Sequence, residues 1–330
     1  MIKLLKKIWL MLLAWGFIVV LPGCSATVSP TPELTPITVQ LTWTHSAQFA
    51  GFYAADQNGD YAAEGLAVTF IEGGPTVDRL TPVLNGEAQF GLAGGVQLIP
   101  ARAGGKHIRA VATILRRDPF AFFALVESGI TRPEDFVGKT LWLPPQALPY
   151  LQAMTARVGV TPDQYTVIDD ANFTSLYSGE IDVAVGFVTS QGVEAQRAGY
   201  NLNIIYPDDY GVHLTSDNIF TTDDFIAANP ELVTRFLRAT FKGWTYAVEH
   251  PNEVGPLVAK YNPKADVSLE TDQMIASLPL INTGQDYIGW MKPDVWAGME
   301  QTLRAQGVLT RPVNVTEVYT MQFLQEIYGQ

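Results

Sequence analysis

Residues 37–71 read ITVQLTWTHSAQFAGFYAADQNGDYAAEGLAVTFI, and this stretch decides the fold. Residues 37–41 alternate apolar and polar side chains, which is typical of a half-buried β-strand. Residues 48–58 repeat aromatic side chains at the spacing of a helix face, and residues 66–71 return to a strand pattern. A strand, a helix and a second strand in this order predict a βαβ unit with parallel strands.

The alternation of strands and helices continues along the chain. Turn residues 73–76 are predicted to open a helix that runs through Val83, with a proline at an early helical position. Further strands are predicted at 89–92, 108–114, 140–143, 165–168, 181–187 and 203–206, with helices at 95–102, 146–158, 173–178 and 189–198. This order predicts an α/β fold with mostly parallel sheets.

The length of the folded part predicts two lobes. Beyond a Ser-, Thr- and Pro-rich tether at residues 24–36, about 295 residues remain, which is more than one hydrophobic core usually serves. After Asn218 the pattern is helical, with helices predicted at 223–229, 230–249, 252–261, 268–278, 293–306 and 315–328. We therefore predict lobe 1 from residues 37–125 and 215–330, with residues 126–214 inserted as lobe 2.

The N-terminus has the features of a secretory signal peptide. Residues 1–23 begin with a basic segment and continue with an apolar stretch that suits a signal peptide and is short for a membrane span. The following Leu21-Pro22-Gly23-Cys24 resembles a bacterial lipobox, although Pro22 departs from the usual small residue. We expect cleavage before Cys24 and a membrane-bound lipid anchor on that residue. An uncleaved anchor helix is the alternative, and both place the domain outside the cytoplasm, at the cell membrane.

Charge and cysteine content exclude several classes of function. The net charge is −12, and removal of residues 1–23, which carry three Lys and no acid, makes it more negative. Such a surface repels phosphate backbones, so nucleic acid is excluded as a partner. Cys24 is the only cysteine in 330 residues. The mature domain therefore has no disulfide, thiolate metal site or catalytic cysteine.

Short motifs along the chain resemble the thiamine-pyrimidine (NMT1/THI-type) family. The matches are Leu41-x-Trp43, Gln48-Phe49-Ala50-Gly51-Phe52-Tyr53-Ala54-Ala55, Gly59-x-Tyr61-x-x-Glu64-Gly65-Leu66-x-Val68, Gly73-Gly74-Pro75, Phe90-Gly91, Asp118-Pro119, Tyr210-Gly211-Val212 and Phe220-Thr221-Thr222. Each is short, but their order and spacing over residues 37–330 are specific. The resemblance implies a type II periplasmic-binding-protein fold, with two lobes that close like a hinge on a ligand in the cleft. It also implies chain crossings near residues 124–127 and 206–218.

Candidate ligand contacts follow the first strand. In a parallel α/β lobe, ligands bind where the carboxyl ends of the strands lead into helices. Trp43 is a candidate to stack on a planar ring, and Gln48 to hydrogen-bond the ring edge. Phe49 and Tyr53 are candidates for the same wall, and His45 for a hydrogen bond. Core packing of the aromatic rings and a solvent-facing His45 are the alternatives.

Two further loops offer candidates. After the third strand, Gly94 permits close approach of a ligand, and we expect a binding role for it and for Gln97. The glycine-rich turn at residues 72–76 is either a backbone donor site or a plain tight turn. Residues 116–118, Arg-Arg-Asp, are either ions at the cleft edge or ordinary surface ions, with the second reading favoured.

The inserted lobe and the second crossing supply the opposing wall. Asn172, Phe187 and Gln191 lie at predicted strand ends, and Phe187 could enclose a ring against Trp43. Tyr210 and Asp217 lie in the second crossing, where the Asp217 carboxylate could accept a hydrogen bond from a ring N–H or a hydroxyl. Core packing and an unremarkable surface acid are the respective alternatives.

Motifs of catalysis are missing from the sequence. HExxH, GxSxG and GxGxxG do not occur, and the four histidines lack zinc-ligand spacing. The resemblance implies a His- and Cys-rich iron site in the pyrimidine-synthesis enzymes of this fold, which this chain cannot match with an internal cysteine. We therefore expect a binding protein without catalytic residues, metal or cofactor.

The resemblance also implies a cargo. The segment from Trp43 to Tyr53 looks closest to the riboflavin-binding lipoproteins of the family, so we expect riboflavin as the transported ligand and an ABC permease with its ATPase as the partner. A thiamine pyrimidine precursor is the alternative cargo. Alternatives of another class are a pyrimidine-synthesis enzyme and a ligand-sensing input domain for a membrane sensor.

Overall fold

The computed structural model describes residues 33–74 and 76–330. The predicted signal peptide, Cys24 and residues 24–32 of the tether lie outside the described residues, as does Pro75 of the glycine-rich turn. In the part of the chain that the structure describes, every helix is too short or too polar to cross a membrane.

The described residues form ten strands and thirteen α-helices. The strands are β1 (Thr35–Gln40), β2 (Leu66–Ile71), β3 (Phe90–Ala93), β4 (Ile108–Leu115), β5 (Phe120–Leu125), β6 (Thr140–Trp142), β7 (Thr166–Ile168), β8 (Val183–Phe187), β9 (Leu202–Ile205) and β10 (Ser216–Thr222). The helices are α1 (Ala50–Gln57), α2 (Asp60–Ala63), α3 (Thr81–Leu84), α4 (Gly95–Ala103), α5 (Leu148–Arg157), α6 (Ser175–Ser178), α7 (Val193–Arg197), α8 (Asp223–Ala228), α9 (Pro230–Glu249), α10 (Val254–Val258), α11 (Val267–Ile281), α12 (Pro293–Ala305) and α13 (Gln322–Tyr328).

Each lobe is built on a five-stranded mixed sheet. The sheet of lobe 1 has the order β2-β1-β3-β10-β4, and that of lobe 2 has the order β7-β6-β8-β5-β9. β10 runs antiparallel to β3 and β4, and β5 runs antiparallel to β8 and β9, whereas the remaining pairs are parallel. Each antiparallel strand is therefore the one by which the chain enters a sheet from the other lobe.

The two crossings between the sheets lie at residues 116–119 and 206–215. The second falls within the predicted 206–218. The first precedes the predicted 124–127, because β5 pairs with β8 and β9 and so belongs to the sheet of lobe 2. The strands β5 and β10 were not predicted, since neither fits the βαβ alternation from which the other strands were inferred.

Several predicted helices are shorter in the structure, and for two of them the cause is visible. The helix expected through Val83 is reduced to α3, because the Asp78 side chain accepts hydrogen bonds from the amides of Leu80 (2.9 Å) and Thr81 (3.1 Å) and forms a turn. The helix expected at 315–328 is interrupted, because Tyr319 forms a bridge with Ala110 at the edge of β4.

Stacked aromatic rings form part of the lobe 1 core. The Phe90 ring of β3 stacks on Phe236 of α9, with ring centroids 4.0 Å apart. The Tyr61 ring of α2 also stacks on Phe236, at a centroid distance of 5.7 Å, and its buried hydroxyl lies 2.9 Å from the Thr240 hydroxyl. This core fixes α9 against the sheet and so fixes the loops that follow β1 and β3, where the cavity described below opens.

Candidate functional site

A cavity of about 730 Å³ lies between the two lobes. Lobe 1 lines it with the loops after β1 and β3 and with side chains of α9 and α11, while lobe 2 contributes the start of β5, α5 and the segment after β8. The lining residues include Thr42, Trp43, His45, Gln48, Arg79, Gly94, Gln97, Asp118, Phe120, Tyr150, Phe187, Thr189, Ser190, Gln191, Ser216, Asp217, Trp244, Glu270, Gln273 and Ser277.

Aromatic side chains line the cavity from both lobes. Trp43 of lobe 1 and Phe187 of lobe 2 are 43% and 45% exposed, which is high for rings of this size. In lobe 2, Phe120 contacts Phe187 and Tyr150 edge to face, with centroid distances of 6.2 and 5.7 Å. Apolar ring surface on two sides of a concave site is suited to a planar ligand.

A buried carboxyl group is held at the carboxyl end of β1. Asp217 is 2% exposed and accepts hydrogen bonds from the Gln48 amide (2.9 and 3.0 Å) and the Thr42 hydroxyl (3.2 Å). Its φ of 53° lies in the left-handed region, which few residues other than Gly, Asn and Asp adopt. Burial raises the pKa of Asp217 to about 6, although the bonds from Gln48 and Thr42 oppose this rise.

Two further carboxyl groups line the cavity. Asp118 accepts hydrogen bonds from the Phe120 amide (2.8 Å) and the Ser216 hydroxyl, and burial raises its pKa. Glu270 of α11 accepts a hydrogen bond from the Ala47 amide (2.6 Å), and burial raises its pKa as well. Of the described residues, Arg79 is the lining side chain with a permanent positive charge. The cavity is therefore acidic.

The segment after β8 places polar groups on the lobe 2 side. Residues 188–192 form a π-helical turn before α7, a geometry often found at functional sites. The turn carries Thr189, Ser190 and Gln191 into the cavity wall, and the Gln191 side chain accepts a hydrogen bond from the Phe187 amide (2.9 Å). This bond fixes the backbone that carries the exposed Phe187 ring.

Comparison with known proteins gives the family. The family described as NMT1/THI5 like matches residues 46–254, which is more than half of the chain. The chain belongs to the NMT1/THI5-like family. The resemblance seen in the sequence motifs is thereby confirmed.

Relatives of this NMT1/THI5-like chain include binding proteins and enzymes. It is 28% identical over 321 residues to the riboflavin-binding protein RibY of Chloroflexus aurantiacus, covering 92% of this chain and 91% of the relative. It is 25% identical to a formylaminopyrimidine-binding protein of Halalkalibacterium halodurans (92% and 95% covered). It is also 25% identical to a 4-amino-5-hydroxymethyl-2-methylpyrimidine phosphate synthase of Legionella pneumophila (88% and 92% covered).

Solved structures confirm the predicted fold class. The periplasmic aliphatic sulphonate binding protein SsuA of Escherichia coli matches with a TM-score of 0.67 at 12% identity, covering 90% of this chain and 99% of that one. At this identity the likeness shows the fold and not the ligand. The NMT1/THI5-like chain therefore has the two-lobed, α/β periplasmic-binding fold that was predicted.

Eight predicted contact residues line the cavity: Trp43, His45, Gln48, Gly94, Gln97, Phe187, Gln191 and Asp217. Gln97 and Gly94 also bond each other, since the Gln97 side chain accepts from the Gly94 amide at 3.2 Å. The amide nitrogen of Gln48 donates hydrogen bonds to Asp217 and Thr42, so it orients these two side chains. Contact of these residues with a ligand stays a prediction.

Four predicted contact residues lie away from the cavity. Phe49 and Tyr53 are fully buried, because Phe49 in the turn before α1 and Tyr53 within α1 both pack into the lobe 1 core. Tyr53 stacks on Tyr261 instead, at a centroid distance of 4.1 Å. The Asn172 side chain accepts from the Thr174 amide (2.9 Å) in a local turn, and Tyr210 packs on the core of lobe 2.

In the Arg116–Asp118 segment, the predicted position at the cleft holds for Asp118 alone. The Arg116 side chain is 7% exposed and Arg117 is half-buried, so neither is an ordinary surface ion. The Asp118 carboxyl group lines the cavity. Arg116 pairs with Asp286 (3.3 Å), and Arg117 pairs with Asp209 (2.7 Å) and stacks on the Tyr206 ring (3.6 Å). Both arginines therefore stabilise the region around the first crossing rather than line the cavity.

Sequence reasoning missed the contribution of α9 and α11. Trp244 of α9 lines the cavity, and its buried indole N–H has no hydrogen-bond partner among the described residues. α11 contributes Glu270, Gln273 and Ser277. Neither helix carries a local motif for this role. Both lie about 200 residues along the chain from Trp43, so only tertiary packing brings them to the cavity.

The described residues also lack any group of three His, Cys, Asp or Glu placed to hold a metal ion.

The Asp217→Asn substitution is expected to change how stability depends on pH. Because the pKa of Asp217 is about 6 in the folded protein and about 3.9 in an unfolded chain, folding binds a proton between these values. The free energy of unfolding should therefore fall as pH rises from 4 through 6, by about 3 kcal/mol from this group. Asn keeps the shape of the Asp217 side chain and tolerates the left-handed backbone. Because Asn does not ionise, it removes this loss of stability at higher pH.

Urea unfolding of the wild type and Asp217→Asn at pH 4 and pH 7.5 measures this effect. We expect the variant to gain stability relative to the wild type between the two pH values, by about 3 kcal/mol. Glu270 titrates in both proteins and cancels in the difference, whereas the charge of Asp118 acts on Asp217 and so contributes to the difference. A difference between the two proteins that is the same at both pH values contradicts the prediction.

Proposed function

We propose that this chain is the extracytoplasmic solute-binding protein of an ABC importer, and that it captures riboflavin or a related flavin and delivers it to the permease. The observation that carries the proposal is the pair of large, half-exposed rings, Trp43 and Phe187, which line one cavity from different lobes. A flavin ring between them would cover apolar surface on both faces. Closure of the lobes on the ligand would bring both rings into contact with it.

The size and charge of the cavity support a flavin over other cargoes. Its volume of about 730 Å³ lies in the upper part of the range of about 300–1,000 Å³ for small-molecule sites, which favours a ligand of several rings. Carboxyl groups suit a ligand with many hydroxyl and N–H donors. They disfavour an anionic sulphonate, the ligand class named for the E. coli protein of the same fold.

A thiamine pyrimidine precursor is the second candidate cargo. It is supported by the relative named as a formylaminopyrimidine-binding protein, which covers the chain as completely as RibY does. RibY is the more similar of the two, at 28% against 25% identity. A single pyrimidine ring would occupy less of the cavity and cover less of the surface of the two exposed rings.

Titration of the purified protein with riboflavin tests the proposed cargo. Stacking on Trp43 should quench flavin fluorescence, and ligand at 100 times its Kd should add about 2.7 kcal/mol of stability, raising Tm by about 5 °C. A parallel titration with an aminopyrimidine alcohol separates the second candidate. Binding of the pyrimidine without binding of riboflavin would retain the transport function and change the cargo.

The proposal includes a lipid anchor on Cys24, as expected from the lipobox-like segment. Two or more acyl chains would hold the domain at the outer face of the membrane beside the permease. Mass spectrometry of protein extracted from membranes should find an acylated Cys24 as the first residue. An intact N-terminal Met1 segment would support the uncleaved anchor helix in its place.

A binding protein is proposed rather than an enzyme because RibY and the formylaminopyrimidine-binding protein are named for binding. The synthase of L. pneumophila keeps the enzyme class as the competing function. Iron content and release of the pyrimidine phosphate product from purified protein test it. Stoichiometric iron together with product formation would overturn the proposal.

A further inference from the structure

Three carboxyl groups, those of Asp118, Asp217 and Glu270, line the cavity. Asp217 and Glu270 are buried, at 2% and 8% exposed, and Asp118 is half-buried. A carboxylate accepts hydrogen bonds and donates none. Three protein bonds reach the Asp217 carboxyl group from Gln48 and Thr42, and two reach that of Asp118. Each carboxylate has about four acceptor positions, so both retain capacity for a ligand donor.

From this arrangement we propose that the cavity selects flavins whose side chain ends in a free hydroxyl and rejects those that carry a phosphate ester there. This inference rests on the flavin-binding function proposed above. A hydroxyl group donates to a carboxylate, whereas a phosphate monoester near neutral pH presents acceptors that cannot pair with it. The carboxyl groups would thus disfavour the phosphate ester, because its negative charge would be repelled and left without a partner.

The dimensions of the cavity make this repulsion hard to avoid. A volume of about 730 Å³ corresponds to roughly 11 Å across if spherical, so its centre is about 6 Å from its walls, within the Debye length of about 8 Å at physiological salt. A phosphate near the centre of the cavity therefore lies within range of the carboxyl groups on its walls. Salt screens buried charges less than exposed ones. Repulsion is therefore expected even where the phosphate does not touch a carboxyl group.

Arg79 is the group that could oppose this selectivity. It lines the same cavity and is partly exposed, and its positive charge already acts on Asp217. One guanidinium group against three carboxyl groups leaves the cavity with an acidic balance. A phosphate that paired with Arg79 would also have to compensate for the attraction between Arg79 and Asp217 that it weakens.

The experiment compares riboflavin, riboflavin 5′-phosphate and riboflavin 5′-acetate by fluorescence titration of the full-length protein at pH 8. The acetate is a neutral ester, so it separates charge from the space that an ester needs. We expect the phosphate to bind at least 100-fold more weakly than riboflavin, and the acetate to bind within about 10-fold of it. Equal affinity for riboflavin and its phosphate overturns the inference and leaves the flavin-binding function intact.

Variants assign the selectivity to named residues. Asp118→Asn and Asp217→Asn should each narrow the ratio of the two affinities by about 10-fold, because each removes one cavity charge. Asp163→Asn removes the same charge from an exposed position outside the cavity and should leave the ratio unchanged. An unchanged ratio in both cavity variants overturns the assignment to these residues. If a variant does not fold, the comparison of the phosphate with the acetate on the wild-type protein still tests whether charge causes the selectivity. Failure of every flavin to bind overturns the proposed function together with this inference.

Discussion

Replacing Trp43 with Ala should lower the affinity for riboflavin by roughly 30-fold, about 2 kcal/mol. The indole is 43% exposed in the structure and lines the cavity, so its removal takes stacking surface from the ligand while the core keeps its packing. Tm of the unliganded protein should therefore change little. Fluorescence titration measures the affinity, and thermal unfolding without flavin measures the stability.

Two companion variants show whether the effect of Trp43→Ala comes from the ring. Trp43→Phe keeps a smaller aromatic face and should recover part of the lost affinity. Tyr287→Ala removes a ring of similar exposure, 46%, that lies outside the cavity, and should leave riboflavin affinity unchanged. Trp43→Ala with wild-type affinity would show that the flavin does not stack on this residue and would remove the main support for the proposed cargo.

The parallel strands could be predicted because the sequence marks each with a turn and a following helix. The antiparallel strands β5 and β10 lack that context, since each enters its sheet from the opposite lobe. The β5 run FAFFAL still carries a signal. Its residues 121–124 are fully buried, and a continuous apolar run is typical of a strand in the middle of a sheet. Periodicity alone does not distinguish such a run from a buried helix.

The candidate site was predictable as far as strand ends define it. Trp43 follows such an end and Phe187 lies at another, and the structure brings both to the cavity, whereas Asp217 was predicted from the second crossing. Phe49 and Tyr53 follow within ten residues of Trp43, but the helix turns their face toward the core. Spacing shows that residues share a face and does not show which neighbour covers it. Glu270 reaches the cavity from α11, and no local sequence pattern indicates this position at the cavity.

A close approach of two helices supports the Trp43 side of the cavity. Helix α1, which follows the Trp43 loop, packs against α9, which carries Trp244. Gly51 and Gly243 lie at the contact. A Cβ at Gly51 would overlap the Trp244 ring, and a Cβ at Gly243 would overlap the Gly51 carbonyl oxygen and lie 2.5 Å from the Ala55 amide nitrogen. Glycine is therefore required by space rather than by backbone conformation.

The Gly243→Ala substitution should destabilise the protein by about 3 kcal/mol. An added methyl group must push α1 and α9 apart, because the atoms it meets belong to the backbone and cannot rotate away. The gain of about 1 kcal/mol in helix propensity from Gly to Ala offsets part of a larger packing loss. Urea unfolding measures the difference. Gly104→Ala, whose Cβ would make ordinary contacts at 3.4 Å, is the matched control and should be close to neutral. Equal stability of the two variants would mean that α1 and α9 have room to separate, and the position of Trp244 at the cavity would then not depend on this contact.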